Sequence, residues 1–332
     1  MRPDDSHFQQ KGAHKEIRMN MRFLLVCSLL ATAACDPVIP VAPISTTVFE
    51  GFIVHSHIPD NPVGIVYLFH GTGGSAEIAY KIEMLDQTNE LVERGYGWVA
   101  TESTERTGNK RWWVFDSSLA TNPDLARLTR LHGELVASTD VTNDTPIFGI
   151  GMSNGARMAT LFGQSFADNG YPVVAVAPFN GRAAPSVKVS GGLTVPGFWV
   201  TSVNDTTAPP AGVIEDQLAS ATLGTTTQLV TKTEEPLLPV RFTRIPAIDI
   251  DEAIAITEAL IATGIWDEDG NRVLDLDTSL QLLEALSLPT NFGATQAQLR
   301  SQIYAILAVH QFVGLYRESL VNFFDTQRML QP

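Results

Sequence analysis

Ile147-Phe148-Gly149-Ile150-Gly151-Met152-Ser153-Asn154-Gly155-Ala156-Arg157-Met158-Ala159-Thr160-Leu161 is the stretch of this 332-residue chain that decides how the rest is read. Residues 146–150 are short and apolar, the pattern of a buried strand, while from Asn154 to Phe166 the spacing is that of a helix. A serine stands at the junction, with a glycine two positions before it and another two positions after. A strand that turns sharply into a helix lifts the residue at the turn clear of the sheet, and small residues two positions either side relieve the crowding. Ser153 therefore reads as an exposed nucleophile, against the alternative of a plain glycine-rich turn. The pentapeptide alone arises by chance in about one such sequence in ten. Its setting between strand and helix is what gives it weight.

Working outward, the same alternation continues on both sides. Residues 64–69 form a continuous apolar run that ends at His70-Gly71, residues 75–93 have helical spacing, and residues 96–100 form a second strand. Asn122 followed by Pro123 is a helix start, predicting a helix over 123–136. Further strands are expected at 173–178 and 197–203. Strands alternating with helices predict an α/β fold, a mostly parallel sheet with helices on both faces. The rhythm then changes: from about 211 to 299 no clean strand–helix unit is visible. Helical pieces at 251–263 and 278–286 flank an acidic turn, Asp267-Glu268-Asp269-Gly270-Asn271. This stretch is expected to be a mainly helical insertion, with a closing amphipathic helix at 315–324.

A serine hydroxyl is a weak nucleophile until a neighbour takes its proton. In a strand–elbow–helix frame the chain order is Ser, then acid, then His. Of seven histidines only His310 follows Ser153, so that order makes it the base. The alternative places His310 within a core helix over 303–312. Asp205 comes just after the apolar strand 197–203, where a carboxylate can hold the tautomer of a histidine beside Ser153. An Asx-turn suits Asn204-Asp205-Thr206 equally and is compatible with that role. Asp249 and Asp251 are the competing acids. The developing negative charge needs backbone N–H donors, and His70-Gly71-Thr72-Gly73-Gly74 offers a loop where backbone approaches closely. The N–H of Thr72 (or Gly73) and that of Asn154 form the natural pair, with His70 orienting the loop. A phosphate-cradling loop is the rival, but it lacks the lysine and spacing of a P-loop. Arg111-Trp112-Trp113 suits a pocket wall and core packing equally. Residues 267–277 look like a calcium loop but are out of register, since position one falls on Ile265, so a polar hairpin is expected. There is no His/Cys cluster for zinc.

With the loop His70-Gly71-Thr72-Gly73-Gly74, the elbow Gly151-Met152-Ser153-Asn154-Gly155 and a leader of exported type (below), the chain resembles the α/β-hydrolase superfamily. Within it, the chain is most similar to the secreted poly(3-hydroxybutyrate) depolymerase and feruloyl esterase group. The resemblance spans about 50–210 and 305–328, and its motifs are specific to the superfamily rather than to one substrate. It implies carboxylic-ester hydrolysis through an acyl-enzyme, with Ser153 attacking, His310 moving the proton and Asp205 orienting His310, and no cofactor or metal. Two alternatives stay open: a non-catalytic exported binding lipoprotein on the same fold, and an amidase or peptidase using the same triad.

The formal charge is −14, from 22 basic and 36 acidic residues, which argues against nucleic acid as a partner. The expected partner is a small or polymer-derived ester. Arg18 and Arg22 precede the apolar run 23–34, which ends in Ala33-Ala34-Cys35. A basic region, a short apolar core and a small-residue end are the layout of a secretory signal. A segment of twelve residues is too short to span a bilayer as a helix. Ala33-Ala34-Cys35 also resembles a lipobox, making Cys35 the candidate for lipidation and the only membrane contact. The expected organisation is a signal segment over 1–35, a Pro- and Thr-rich tether over 36–48, and one exported domain over 49–332 containing the insertion. The expected location is the periplasm or cell surface, or the medium.

Overall fold

The computed structural model describes residues 37–286 and 296–331. The signal segment 1–35 and Cys35 lie outside the described residues. Eight strands form one sheet: β1 (Ser45–Phe49), β2 (Phe52–His57), β3 (Ile65–Phe69), β4 (Gly97–Thr101), β5 (Ile147–Met152), β6 (Val173–Phe179), β7 (Gly197–Ser202) and β8 (Thr227–Lys232). Their spatial order is β1-β2-β4-β3-β5-β6-β7-β8. β2 pairs antiparallel with both β1 and β4, while all pairs from β4 to β8 are parallel. Glu50 and Gly51 both have positive φ (51° and 84°), the turn that a two-residue hairpin loop requires between β1 and β2.

Strand side chains alternate between the two faces, and β3 shows the consequence. Ile65, Tyr67 and Phe69 enter one apolar core, where Leu125 and Leu128 of helix Pro123–Ser138 and Met158 and Phe162 of helix Asn154–Asp168 meet them. Val66 and Leu68 enter a second core with Met84 and Leu91 of helix Ile82–Glu93 and Leu320 and Phe324 of helix Arg317–Met329. Both faces are therefore covered, which is why β3 is apolar throughout. Each such buried side chain contributes about 1.5–3 kcal/mol. Asn122 caps its helix by accepting from the N–H groups of Asp124 (2.9 Å) and Leu125 (3.1 Å).

Two expectations need correction. The alternation does not stop near 211: helix Pro210–Thr222 and β8 add one more strand–helix–strand unit, and the chain leaves the sheet unit only at Leu237. β8 was hidden because Thr227–Lys232 is a half-exposed edge strand with no continuous apolar run. Nor is 36–48 simply a tether. The side chain of Asn89 donates to Ile39 O (2.8 Å) and accepts from Val41 N–H (3.0 Å), and Ser45–Phe49 joins the sheet. No composition signal announces a single distant asparagine.

The smaller unit takes Leu237–Leu299 and adjoining Val38. It is mainly helical, with Val240–Thr243, Ile250–Ile261 and Leu276–Ala285. Phe242, Ile256, Leu260 and Trp266 are buried. Asp249 forms a capping box with Glu252 at the start of Ile250–Ile261, and the acidic turn closes as a hairpin in which Asp267 N–H donates to Asn271 O (2.9 Å).

Candidate active site

Ser153 follows β5 directly and has φ 60° and ψ −116°. That conformation is strained for a residue with a side chain and persists only where its surroundings over-determine it. The surroundings are the two glycines. A Cβ on Gly151 would lie 2.0 Å from Gly155 O, and one on Gly155 would lie 2.1 Å from Phe69 O. No other residue fits either place. Ser153 N–H donates to Phe179 O (3.0 Å), which ties the turn to the end of β6. The serine itself is partly exposed.

The loop after β3 runs against this turn, and a Cβ on Gly71 would sit 3.4 Å from Ser153 Cβ. His70 is buried and uses both ring nitrogens: Nε2 accepts from Ser103 N–H (3.1 Å), so Nδ1 carries the proton and donates to Gly71 O (2.7 Å). Burial holds its pKa down at about 4, so the ring is neutral. Gly73 N–H is occupied by Asn109 O (2.7 Å). The N–H groups of Thr72 and of Asn154, the first residue of its helix, make no hydrogen bond among the described residues. Two unpaired donors thus flank Ser153, and Thr72 rather than Gly73 supplies the one from the loop.

Asp205 lies in the turn after β7 with its carboxylate fully buried. Oδ1 accepts from Thr207 N–H (2.9 Å) and Ala208 N–H (2.8 Å), which is the Asx-turn, while Oδ2 accepts from His310 Nδ1 (2.7 Å). A carboxylate only accepts, so the His310 proton sits on Nδ1 and Nε2 presents a lone pair. His310 lies beyond the end of helix Gln296–Ile306, in a turn that begins at Ala308 (φ 50°), not inside a helix over 303–312. Its side chain remains 22% exposed. The Ser153 turn and the His310 loop converge at one place: Phe179 O receives Ser153 N–H, and the next residue, Asn180, donates its Nδ2 to Gln311 O (2.8 Å). Of the competing acids, Asp249 is engaged in its capping box, and Asp251 is exposed in that helix's first turn.

A mostly parallel sheet reversed at its second strand thus carries a strained serine after β5, an acid after β7 and a histidine after β8. The fold is that of an α/β hydrolase. No family model matches the chain, and no curated protein matches it in sequence. Among solved structures the chain is similar to an acetyl xylan esterase from Aspergillus awamori, at 11% identity over 57% of this chain and 93% of that one, with a TM-score of 0.45. It is also similar to an arylesterase (13% identity, 78% and 98% covered, TM-score 0.45) and to a ferulic acid esterase (15%, 57% and 88%, 0.45). Likenesses this distant do not speak to substrate.

Sequence reading missed several contacts that build this site. The side chain of Asn154 accepts from Trp112 N–H (2.7 Å), and Trp112 Nε1 donates to His70 O (2.9 Å), so one tryptophan links the serine turn to the loop after β3. Arg111-Trp112-Trp113 thus divides: Trp112 is buried against Phe69 and His70, and Trp113 is 49% exposed. Asp124, fully buried, accepts from Thr104 N–H and Trp113 N–H (both 2.6 Å) and fixes the intervening loop; burial raises its pKa. Only the helix start at Asn122-Pro123 hinted at this.

Proposed function

We propose that the protein is a serine hydrolase of carboxylic esters, working through an acyl-enzyme. The observation that carries the reading is the 2.7 Å contact between His310 Nδ1 and the buried Asp205 carboxylate, beside a loop tied to the Ser153 turn. Ser153 Oγ attacks the ester carbonyl while His310 Nε2 takes its proton. The imidazolium so formed is stabilised by Asp205, and the oxyanion is received by the N–H groups of Thr72 and Asn154. His310 then returns the proton to the leaving alcohol. Water repeats the sequence on the acyl-enzyme and releases the acid. None of these steps calls for a cofactor or metal, and the substrate is a small or polymer-derived ester. Export, with Cys35 as the lipid attachment point, belongs to the same proposal and is supported by the leader sequence alone.

The test is hydrolysis of p-nitrophenyl esters from acetate to octanoate, with Ser153→Ala as control. Turnover is expected to fall by roughly 10³-fold or more in the variant, with a fluorophosphonate probe labelling only the parent. An inactive parent that the probe leaves unlabelled would favour the binding-protein alternative, and turnover of amides but not esters would favour an amidase. Incorporation of a labelled fatty acid, lost in Cys35→Ala, tests the anchor.

A further inference from the structure

We propose that Asn180 is a positioning residue that sets the spacing of Ser153 and His310; the proposal rests on their reading as nucleophile and base. Residues 179–181 touch both partners. Phe179 O accepts Ser153 N–H (3.0 Å), and Gly181 lies so close beneath the turn that a Cβ there would be 2.5 Å from Ser153 O. On the other side Asn180 Nδ2 donates to Gln311 O (2.8 Å), and the Phe179 ring packs against Phe312 at 4.4 Å. The strut is itself held: Asn180 N–H donates to Val200 O (2.8 Å), and its Oδ1 accepts from Ser202 Oγ (3.2 Å).

Two features make the side chain, not the backbone alone, the active part. Asn180 is fully buried and has φ 45°, a conformation for which glycine is the default residue. Glycine would satisfy the backbone but could not reach Gln311. Asparagine tolerates the conformation and supplies a donor aimed at the His310 loop. The far end of that loop is held separately. Asn204 N–H donates to Ala308 O (3.1 Å) and Asn204 Nδ2 to Leu307 O (2.8 Å). Residues 307–311 are therefore fastened at both ends, and only the Asn180 end shares its strut with Ser153.

Asn180→Gly keeps the backbone and removes the amide, while Asn180→Asp keeps the shape and removes the donor. Both are expected to lower kcat by about tenfold to a hundredfold with KM changed less than about twofold, because a misplacement near 1 Å costs on that order. Ser202→Ala, which only frees the Asn180 oxygen, moves kcat the same way by less and covers the case in which neither Asn180 variant folds. Independently of activity, the Nδ1 proton of His310, followed by NMR in histidine-labelled protein, exchanges faster in the variants than in the parent. Unchanged kcat together with unchanged exchange overturns the proposal. If the parent is inactive but its His310 proton is freed by Asn180→Gly, the positioning role stands and the esterase reading falls. If the parent is inactive and the proton is unaffected, both fall.

Discussion

The two sides of the site are held by different means. Around Ser153 the constraint is backbone sterics: two glycines and a strained φ within five residues, closed on by the carbonyl oxygens of Gly155 and Phe69. Around His310 it is a set of hydrogen bonds, donated by Asn180 and Asn204 and accepted by Asp205, that join residues about a hundred or more positions apart. The first kind of constraint fails as a unit, because nothing near it can move without moving the sheet. The second can be dismantled one bond at a time. Substitutions on the serine side should therefore cost stability and activity together, and those on the histidine side activity with little stability.

The largest separation is expected from Asp205→Asn. The amide oxygen can still accept from Thr207 and Ala208, but its N–H then faces His310 Nδ1 and drives the proton to Nε2, where the lone pair is needed. We expect kcat for p-nitrophenyl acetate to drop by about 10⁴-fold with thermal unfolding little changed. An equal loss of stability would show that the histidine side is as unitary as the serine side.

Gly151→Ala probes the opposite side. The added Cβ meets Gly155 O at 2.0 Å, a backbone atom that cannot rotate away. Destabilisation of roughly 3 kcal/mol or more is expected in urea titrations, with activity lost in parallel. Parent-like stability would break the comparison.

The loop after β3 lies between these cases and gives the smallest effect. Burial holds His70 down at about 4, whereas the exposed side chain of the unfolded chain titrates near its ordinary value of 6.5. Between those values the unfolded state binds more protons, so stability falls as pH is lowered from about 6.5 to about 4, by at most about 3 kcal/mol. Burial lowers the pKa of His132 in the same direction. Urea midpoints measured across that range should decline, and His70→Gln should flatten the decline. A parent whose midpoint is flat from pH 7 to 4 would mean that His70 is not held neutral by the fold.

Legibility in sequence followed the same division. β3, β5 and the helix after Ser153 were readable because burial on both faces writes a continuous apolar run and the elbow writes its own glycines. β8 was not, because an edge strand needs apolar residues on only part of its surface. Asp205 was preferred for its place at a strand end, with Asp249 and Asp251 as competitors, because sequence does not say which carboxylate reaches His310. Tertiary contact distinguishes them: Asp205 meets His310, while Asp249 caps a helix.

By itself, then, the sequence determined what depends on neighbours along the chain: the strand–helix alternation, the sharp turn at Ser153, the helix start at Asn122 and the chain order that singles out His310. The tertiary structure decided what depends on distant partners. It left the N–H of Thr72 free while giving that of Gly73 to Asn109, buried Trp112 while leaving Trp113 exposed, and fastened the loop around His310 through Asn180 and Asn204. The physical reason is range. Backbone sterics and periodic burial act within a few residues and leave a pattern, whereas a hydrogen bond between residues 131 positions apart leaves only one asparagine among many.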